Sequence, residues 1–396
     1  MLQPYRESSA SGSERFTKSE WQVALAHTQL SRRPGDVMTS PDRPEVNAWN
    51  SFVESLRAAG DRLATDTADL TDMERADGFR ALLRALNNQL GRFEVDRDRA
   101  ELVAFNGWRQ KFLMDNPDFR YWVADVRAGR RYRIAGNMGD ASYMSITAYA
   151  VDERGARAVA RLDSDAIAFS ASGEFTVTLG GSTDDDLAVT GDVSMVWVRQ
   201  FHDDVDNDRL GDCSLEALDP VPAPAPINPA RLSSDLKRLG SMMSAMPMIF
   251  AASTADDRAA PNELRHWSEM AGGAVFTEPN IHYVRGGWQL EPDEALIIEG
   301  DVVDCRYWNI LAHSRFLNSL DYRHRSVSYT GTTARIVDGR YRFVLAAADP
   351  GPGSGDWIDT EGRAFGIVVM RFLQPAGPPE LPAVQRVSIH DLPVSR

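Results

Sequence analysis

The stretch IAGNMGDASYMSI at residues 134–146 recurs 164 positions later as IEGDVVDCRYWNI at residues 298–310. The residues that the two stretches share at the same spacing include Gly136/Gly300, Asp140/Asp304, Tyr143/Tyr307 and Ile146/Ile310. Alternation of apolar and polar residues in strands does not by itself produce shared Gly, Asp and Tyr at constant spacing. The pattern therefore predicts a duplicated structural unit.

Three further pairs of segments keep the same order along the chain. They are NPDFRY at 116–121 with EPNIHY at 278–283, SGEFTVTL at 172–179 with DGRYRFVL at 338–345, and SMVWVRQF at 194–201 with GIVVMRFL at 366–373. The offset between partners grows from 162 to 172, as small loop insertions produce in a duplicated unit. We predict two copies of one β module, at 116–202 and 278–393.

Within each copy, apolar and polar residues alternate between Gly-containing turns, which is typical of antiparallel strands with one buried face. Such sheets are expected to pack in pairs. The predicted fold class is α+β, mainly β, with two related antiparallel, jelly-roll-like β-sandwich modules from an internal duplication, each preceded by helices. Gly136/Gly300 and Asp140/Asp304 are expected in tight turns, where Gly supplies a positive φ and Asp bonds the nearby backbone.

Apolar residues recur at helical spacing in five stretches outside the two copies. These stretches are residues 40–63, 72–95, 101–115, 231–250 and 261–273. Candidate N-caps are Ser40 or Asp42 for the first, Asn228 or Ser233 for the fourth, and Asn262 for the fifth.

These patterns divide the chain into five parts. The parts are a flexible N-terminal extension (1–44), a helical segment (45–115), the first β-sandwich module (116–218), a Pro-rich connector with helices (219–272), and the second β-sandwich module (273–396). The connector contains LDPVPAPAPINPAR, a composition that favours an extended spacer.

The bulk composition bears on location and partners. The 396 residues carry a formal net charge of −14, which argues against a nucleic-acid partner because phosphate binding needs a basic surface. The N-terminus lacks an apolar secretion signal, and no apolar run is long enough to span a membrane. Cys213 and Cys305 lie in no CxxC motif, so we expect reduced thiols and a cytoplasmic protein.

The second copy differs from the first by two added segments. They are LAHSRFLNSLDYRHRSVSYTG at 311–331 and DPGPGSGDWIDTEGRAFG at 349–366, and both follow strand ends. Features that both copies share are interpreted as fold, and features that one copy adds are interpreted as site. Long loops on a rigid β scaffold commonly carry binding groups, so the two loops are expected to face one pocket.

Eight residues are candidates for that pocket. Trp308, Tyr322 and Trp357 would form its walls, and Asn309 and Arg315 would orient a polar group of the ligand. The candidate catalytic residues are Asp349, Asp359 and His324, with either aspartate as acid or base.

Three functions compete for this pattern. The first is binding of a small, largely apolar organic ligand between the second-module loops, by a binder or an enzyme of accessory, secondary or lipid metabolism. The second is a carbohydrate-binding or carbohydrate-active β-sandwich, because aromatic rings and carboxylates also suit sugars. The third is a structural protein whose exposed aromatic residues form the interface of a homo-oligomer.

One acidic segment has the spacing of a calcium loop. FHDDVDNDRLGDCSLE at 201–216 places Asp204, Asp206, Asp208 and Asp212 where alternate side chains would face a cation. Arg209 replaces the usual Gly at the sixth position, and Glu216 lies one position beyond the usual closing acid. An acidic, solvated hairpin or linker is the competing interpretation. No other cofactor is indicated.

Two C-terminal stretches carry a family resemblance. PDEALIIEGDVVDCRYWNILAHSRFLNSLDYRHRSVS at 292–328 and LAAADPGPGSGDWIDTEGRAFGIVVMRFLQP at 345–375 resemble the bacterial family of domain of unknown function 1214, which is often paired with the 1254-type domain. The resemblance implies a β-rich two-module fold and no settled chemistry. Asp356 is a departure, because the family commonly has Asn there.

Overall fold

The computed structural model describes residues 43–93, 96–152, 155–267, 278 and 280–392. Its helices are α1 (Pro44–Asp66), α2 (Asp72–Leu90), α3 (Pro229–Ser253) and α4 (Ala255–Ala259). Asn228 caps α3, because its side chain accepts hydrogen bonds from the first backbone amides of the helix. Ser40 and Asp42, the candidate N-caps of α1, lie outside the described residues.

The described residues of the first module form nine strands in two sheets. They are β1 (Val103–Ala104), β2 (Phe119–Asp125), β3 (Tyr132–Gly139), β4 (Tyr143–Asp152), β5 (Gly155–Asp163), β6 (Glu174–Gly180), β7 (Leu187–Ala188), β8 (Val193–Phe201) and β9 (Leu210–Ala217). One sheet has the order β1-β2-β8-β4-β5 and the other β7-β6-β3-β9. All pairings are antiparallel except the short contact of β6 with β7.

The second module repeats this arrangement. Its strands are β10 (Arg265–His266), β11 (Ile281–Gln289), β12 (Glu294–Asp301), β13 (Tyr307–Ser314), β14 (Ser328–Thr330), β15 (Ile336–Val337), β16 (Arg340–Ala346), β17 (Asp356–Asp359), β18 (Phe365–Leu373) and β19 (Ala383–Ser388), followed by a 3₁₀ turn at Ile389–Asp391. The sheet orders are β10-β11-β18-β13-β14 and β15-β16-β12-β19, with β17 also beside β16.

The two modules agree strand by strand. The order β2-β8-β4 corresponds to β11-β18-β13, and β6-β3-β9 corresponds to β16-β12-β19. Individual residues agree as well, since Gly136 pairs with Phe175 and Gly300 pairs with Tyr341, which are partners in the sequence repeat. The prediction of an α+β, mainly β fold is confirmed, and the matching register supports its origin by duplication.

Each module has its own core between its two sheets. In the first module, residues such as Trp122, Ile146 and Val198 of one sheet pack against Ile134 and Val177 of the other. In the second module, an aromatic group around Trp308 and Phe343 lies in the equivalent place. These cores explain the alternating pattern of the strands.

Two predicted helices are wrong. Residues 101–115 contain only β1 and turns, because Asn106, Leu113 and Met114 have positive φ angles that a helix cannot contain. The described part of 261–273 contains β10, and Asn262 also has a positive φ.

The expected turn positions of Gly136 and Gly300 are also wrong. Both glycines lie inside strands, β3 and β12, and their φ angles are not positive. A Cβ atom at Gly136 would meet the carbonyl oxygen of Asp212, and one at Gly300 would lie 2.6 Å from Cζ of Tyr341. Glycine is needed there for close approach of neighbouring atoms.

One sheet of each module, β1-β2-β8-β4-β5 in the first and β10-β11-β18-β13-β14 in the second, turns its outer face toward the other module. We call these two sheets the facing sheets. Phe119 and Phe201 of the first module pack with Tyr307 and Leu373 of the second. Every residue of β18 is buried, so this strand is covered on both faces. The expectation of one buried face does not hold for such central strands.

The helices and the segment 105–114 complete the space between the facing sheets. Phe105 and Phe112 pack on the outer face of the first module, and Met114 packs on that of the second. Helices α1, α2 and α3 form a separate apolar cluster that includes Phe316. None of the described helices combines the length and the apolar composition needed to cross a membrane.

Candidate functional site

A cavity of about 650 Å³ lies between the facing sheets, α3 and the segment 105–114. This volume is within the range of small-molecule sites, which often form at domain interfaces. Aromatic rings supply much of the wall, including Phe105, Trp197 and Trp267. The cavity can therefore hold an organic molecule with an apolar or aromatic body.

The polar part of the wall is strongly basic. Six arginines and two acids line the cavity: Arg92, Arg97, Arg199, Arg238, Arg285 and Arg371, with Asp125 and Glu278. This excess of positive charge contrasts with the formal charge of −14 of the whole chain. A basic cavity inside an acidic protein favours a negatively charged ligand.

Arg199 of β8 is balanced by an internal carboxylate. It is 2% exposed, and its Nη1 lies 3.1 Å from Oε2 of Glu278. The same carboxylate accepts hydrogen bonds from Ser145 Oγ at 2.8 Å and from Arg161 Nε at 2.7 Å. Glu278 precedes β11, so this buried ion pair joins the two modules.

Arg285 of β11 is balanced in the same way. Its Nη2 lies 2.6 Å from Oδ2 of Asp257 and donates at 2.6 Å to the carbonyl oxygen of Ser253. Its guanidinium also lies 5.4 Å from the ring centre of Trp267. Burial lowers the pKa of Arg285, and Asp257 opposes that effect.

Three other cavity arginines also have acidic partners. Arg92 and Arg97 lie 2.7 Å and 3.9 Å from the carboxylate of Asp125, and Arg238 lies 3.3 Å from that of Asp235. The charges of these arginines are therefore partly neutralised before any ligand binds.

Arg371 of β18 differs from the other five. It is 3% exposed, and among the described residues no carboxylate lies within 4.0 Å of its guanidinium. Nη2 donates to the carbonyl oxygen of Met114 at 3.1 Å, whereas the buried Nη1 has no hydrogen-bond partner in the described part of the chain. A buried guanidinium with an unused donor is unfavourable unless an anion binds it.

The carboxyl group of Asp118 is influenced by Arg371 but does not pair with it. Oδ2 of Asp118 accepts hydrogen bonds from Tyr307 at 2.9 Å and from Asn309 at 2.7 Å. Burial raises the pKa of Asp118, with the hydrogen bonds from Asn309 and Tyr307 and the charge of Arg371 acting in the opposite direction. Asp118 therefore belongs to the module interface.

Two tyrosines lie beside the arginines in register. Tyr121 pairs with Arg199 across β2 and β8, and Tyr283 pairs with Arg371 across β11 and β18. Burial raises the pKa of both phenols, so the hydroxyl groups stay protonated near neutral pH. Protonated phenols can donate hydrogen bonds to an anion.

The predicted aromatic walls lie outside this cavity. Trp308 is 5% exposed and belongs to the core of the second module, 6.5 Å from Phe372 between ring centres. Trp357 packs in another apolar cluster, and its Nε1 donates to the carbonyl oxygen of Ala346. Tyr322 covers the buried ammonium of Lys111. These three residues do not form one wall.

The two residues that were predicted to orient a polar group of the ligand have other partners. Asn309 is fully buried and donates to Asn116 and Asp118. Arg315 lies 3.5 Å from the carboxylate of Glu74 and lines a small pocket of about 50 Å³ beside the helices. Neither of the two lines the large cavity.

The predicted catalytic residues are not brought together. Asp349 binds the backbone amide of Gly351, and the exposed His324 binds Asp321. Asp359 is 2% exposed and pairs with Arg325 at 2.6 Å. The ion pair of Arg325 with Asp359 shows that the two added loops contact each other, and none of the predicted site residues lines the large cavity.

The calcium-like spacing does not produce a metal site. The side chains of Asp204, Asp208 and Asp212 bind Asn207, His202 and the backbone amide of Asn137, respectively. No three His, Cys, Asp or Glu side chains of the described residues form a group that could hold a metal ion. Among the described residues Asp206 therefore joins no metal-binding group, and the segment is a loop that connects β8 of one sheet to β9 of the other.

The cavity arginines were missed because their positions resemble a solvent face. Arg199 and Arg371 alternate with inward-facing apolar residues, and a polar residue in that phase normally faces water. The repeat contained a usable signal, since SMVWVRQF and GIVVMRFL place these two arginines at equivalent positions. Residues that both copies share line the cavity, contrary to the assumption that shared residues serve the fold alone.

The fold and the cavity define a two-module β-sandwich protein with an arginine-lined cavity between its modules. The chain is similar to an uncharacterised protein of Burkholderia cenocepacia, with 27% identity, a TM-score of 0.80, and coverage of 87% of this chain and 98% of that one. A protein of Vibrio parahaemolyticus has 10% identity, a TM-score of 0.44, and coverage of 84% and 100%. No protein-family model and no curated protein matches the chain, so the family resemblance stays a prediction.

Proposed function

We propose that the protein binds a small organic anion with an apolar or aromatic body in the cavity between the facing sheets. The observation that carries this proposal is Arg371, a buried arginine that has no acidic partner within 4.0 Å and one unused donor atom among the residues that the structure describes. Arginine recognises carboxylates through paired hydrogen bonds, and a ligand carboxylate would satisfy this donor.

The surrounding wall supports the apolar part of the ligand. Trp197, Phe105 and Met242 line the same cavity as Arg371, and their surfaces can cover a ring or an alkyl chain. The proposal keeps the small, largely apolar ligand expected from the sequence. It moves the site from the second-module loops to the module interface and adds a negative charge.

The test uses matched charged and neutral probes. Decanoate and 4-phenylbutyrate should raise the melting temperature of the full chain, whereas decanamide and 4-phenylbutanamide should have much smaller effects. Maltotriose serves as the probe for carbohydrate binding. Stabilisation by maltotriose without stabilisation by either carboxylate would contradict the proposal, as would equal effects of acids and amides.

Substitution of Arg371 tests whether the ligand carboxylate binds to this residue. Arg371→Gln should weaken carboxylate binding by about tenfold to hundredfold, because a hydrogen bond to a charged group contributes about 1.5–3 kcal/mol. Arg238→Gln removes the same charge from a cavity arginine that has an acidic partner and a largely exposed side chain. Calorimetric titration of both variants should show the large loss only for Arg371→Gln.

A further inference from the structure

The two halves of the cavity differ at one pair of equivalent positions. Glu278 precedes β11 and corresponds to Asn116, which precedes β2, in the sequence repeat. Both residues close the same turn, because the carbonyl oxygen of Asn116 accepts from Phe119 N at 3.2 Å and that of Glu278 accepts from Ile281 N at 3.3 Å. A carboxylate therefore stands in one half where an amide stands in the other.

The residues around these positions correspond as well. Ser145 lies opposite Arg199 in the first module, and Asn309 lies opposite Arg371 in the second. Ser145 is small and donates to the carboxylate of Glu278. Asn309 donates instead to the side chain of Asn116 at 3.2 Å, and Asn116 does not line the cavity. In the described part of the chain, no carboxylate pairs with Arg371 in this half.

The half that contains Arg371 lacks a counterpart of Arg161. Arg161, which pairs with Glu278, lies opposite Thr147 in the first module. The equivalent pair in the second module is Leu311 with Ser328. The other arginine that this module contributes to the cavity, Arg285, is already paired with Asp257, so Arg371 is the guanidinium of this half that has no carboxylate partner among the described residues.

We infer that the cavity is specific for ligands with a single negative charge. The ligand charge pairs with Arg371 in the same way as the carboxylate of Glu278 pairs with Arg199. Asn116 determines this specificity, because its short neutral side chain leaves Arg371 open. The inference rests on the proposed function and narrows the ligand class to organic monoanions. A second ligand carboxylate would be buried near Glu278 without a free cation, which is unfavourable.

The first test introduces around Arg371 the residue types that surround Arg199. The double variant Asn116→Glu/Asn309→Ser places a carboxylate and a small donor beside Arg371, as Glu278 and Ser145 are placed beside Arg199. Its matched control is Asn116→Gln/Asn309→Ser, which differs by one charge. Calorimetric titration with decanoate should give at least tenfold weaker binding for the Glu variant than for the Gln variant. Equal affinities would overturn the inference.

The second test uses the unmodified chain and does not depend on the folding of a variant. Octylmalonate carries two carboxylates on an alkyl chain similar to that of decanoate. The protein should bind decanoate at least tenfold more tightly than octylmalonate near neutral pH. Equal or tighter binding of octylmalonate would overturn the single-charge inference while leaving the proposed function intact. Absence of binding by decanoate and 4-phenylbutyrate would instead overturn the proposed function itself.

Discussion

Lys111 shows how the chain holds a cation that has no acidic partner in contact among the described residues. The residue is 1% exposed, and its Nζ donates to the carbonyl oxygens of Ser319 at 2.6 Å and Leu320 at 2.7 Å. The ammonium also lies 4.6 Å from the ring centre of Trp108 and 4.5 Å from that of Tyr322. Tyr322, predicted as a wall of a ligand pocket, is therefore part of a cage for a cation of the same chain.

Lys111 predicts a pH dependence of stability. Burial lowers its pKa to about 8 from 10.5, so the unfolded chain binds this proton more tightly than the folded chain. The free energy of unfolding of the parent chain, relative to that of Lys111→Met, should rise by about 2–3 kcal/mol as the pH increases from 7 to 10.5. Urea unfolding at several pH values measures this difference.

The exposed Lys237 of α3 provides the matched control for this experiment. Lys237→Met removes the same charge without the aromatic rings and carbonyl groups that surround Lys111. A difference that stays constant or falls as the pH rises would contradict the account of Lys111.

Close approach of paired strands explains the glycine at position 136. Gly136 of β3 lies against β9, where an added Cβ would be 2.7 Å from the Cα of Cys213. Because the neighbouring atoms are backbone, they cannot move aside as a flexible side chain can. This contact is a property of the paired strands and is invisible in the local sequence.

Gly136→Ala should therefore destabilise the first module. We expect a loss of about 1–3 kcal/mol in the free energy of unfolding, which is the range for overpacked positions. Urea unfolding should show a lower midpoint with an unchanged slope. Gly377→Ala is the control, because a Cβ at Gly377 meets nothing within 4 Å and its φ is not positive. Equal midpoints for the two variants would refute the close-approach explanation.

Strands were predicted well from the sequence, and two helices were not. Alternation of apolar and polar residues identifies the face of a strand that lies inside a sandwich. The second copy, at an offset of 164 residues for the segment 134–146, allows a predicted strand to be compared with its counterpart. The segment 101–115 has helical spacing, yet it follows the surface of the facing sheets with positive φ at Asn106 and Leu113. Contacts with distant strands decided this conformation, and local spacing does not record them.

At the scale of the molecule, the site depends on how the two modules face each other. The alternation around Arg199 and Arg371 shows only that they point away from their own cores. Whether the opposite face meets water or another sheet is decided by packing between parts of the chain more than 150 residues apart. The cavity could therefore not be located from either copy alone, although comparison of the copies identified equivalent residues.

The contacts of Glu278 give the strongest prediction about this packing. Its polar side-chain partners among the described residues, Arg199, Arg161, Ser145 and Tyr143, belong to the first module, whereas Glu278 leads into the second. Glu278→Gln removes the carboxylate that lies 3.1 Å from the buried Arg199, and removal of one partner of a buried ion pair lowers the free energy of unfolding by about 3–5 kcal/mol. Urea unfolding should show this loss, whereas Glu263→Gln, at an exposed acid with no ion pair among the described residues, should change the midpoint little. If both variants unfold at the same urea concentration, the Glu278–Arg199 pair does not hold the modules together.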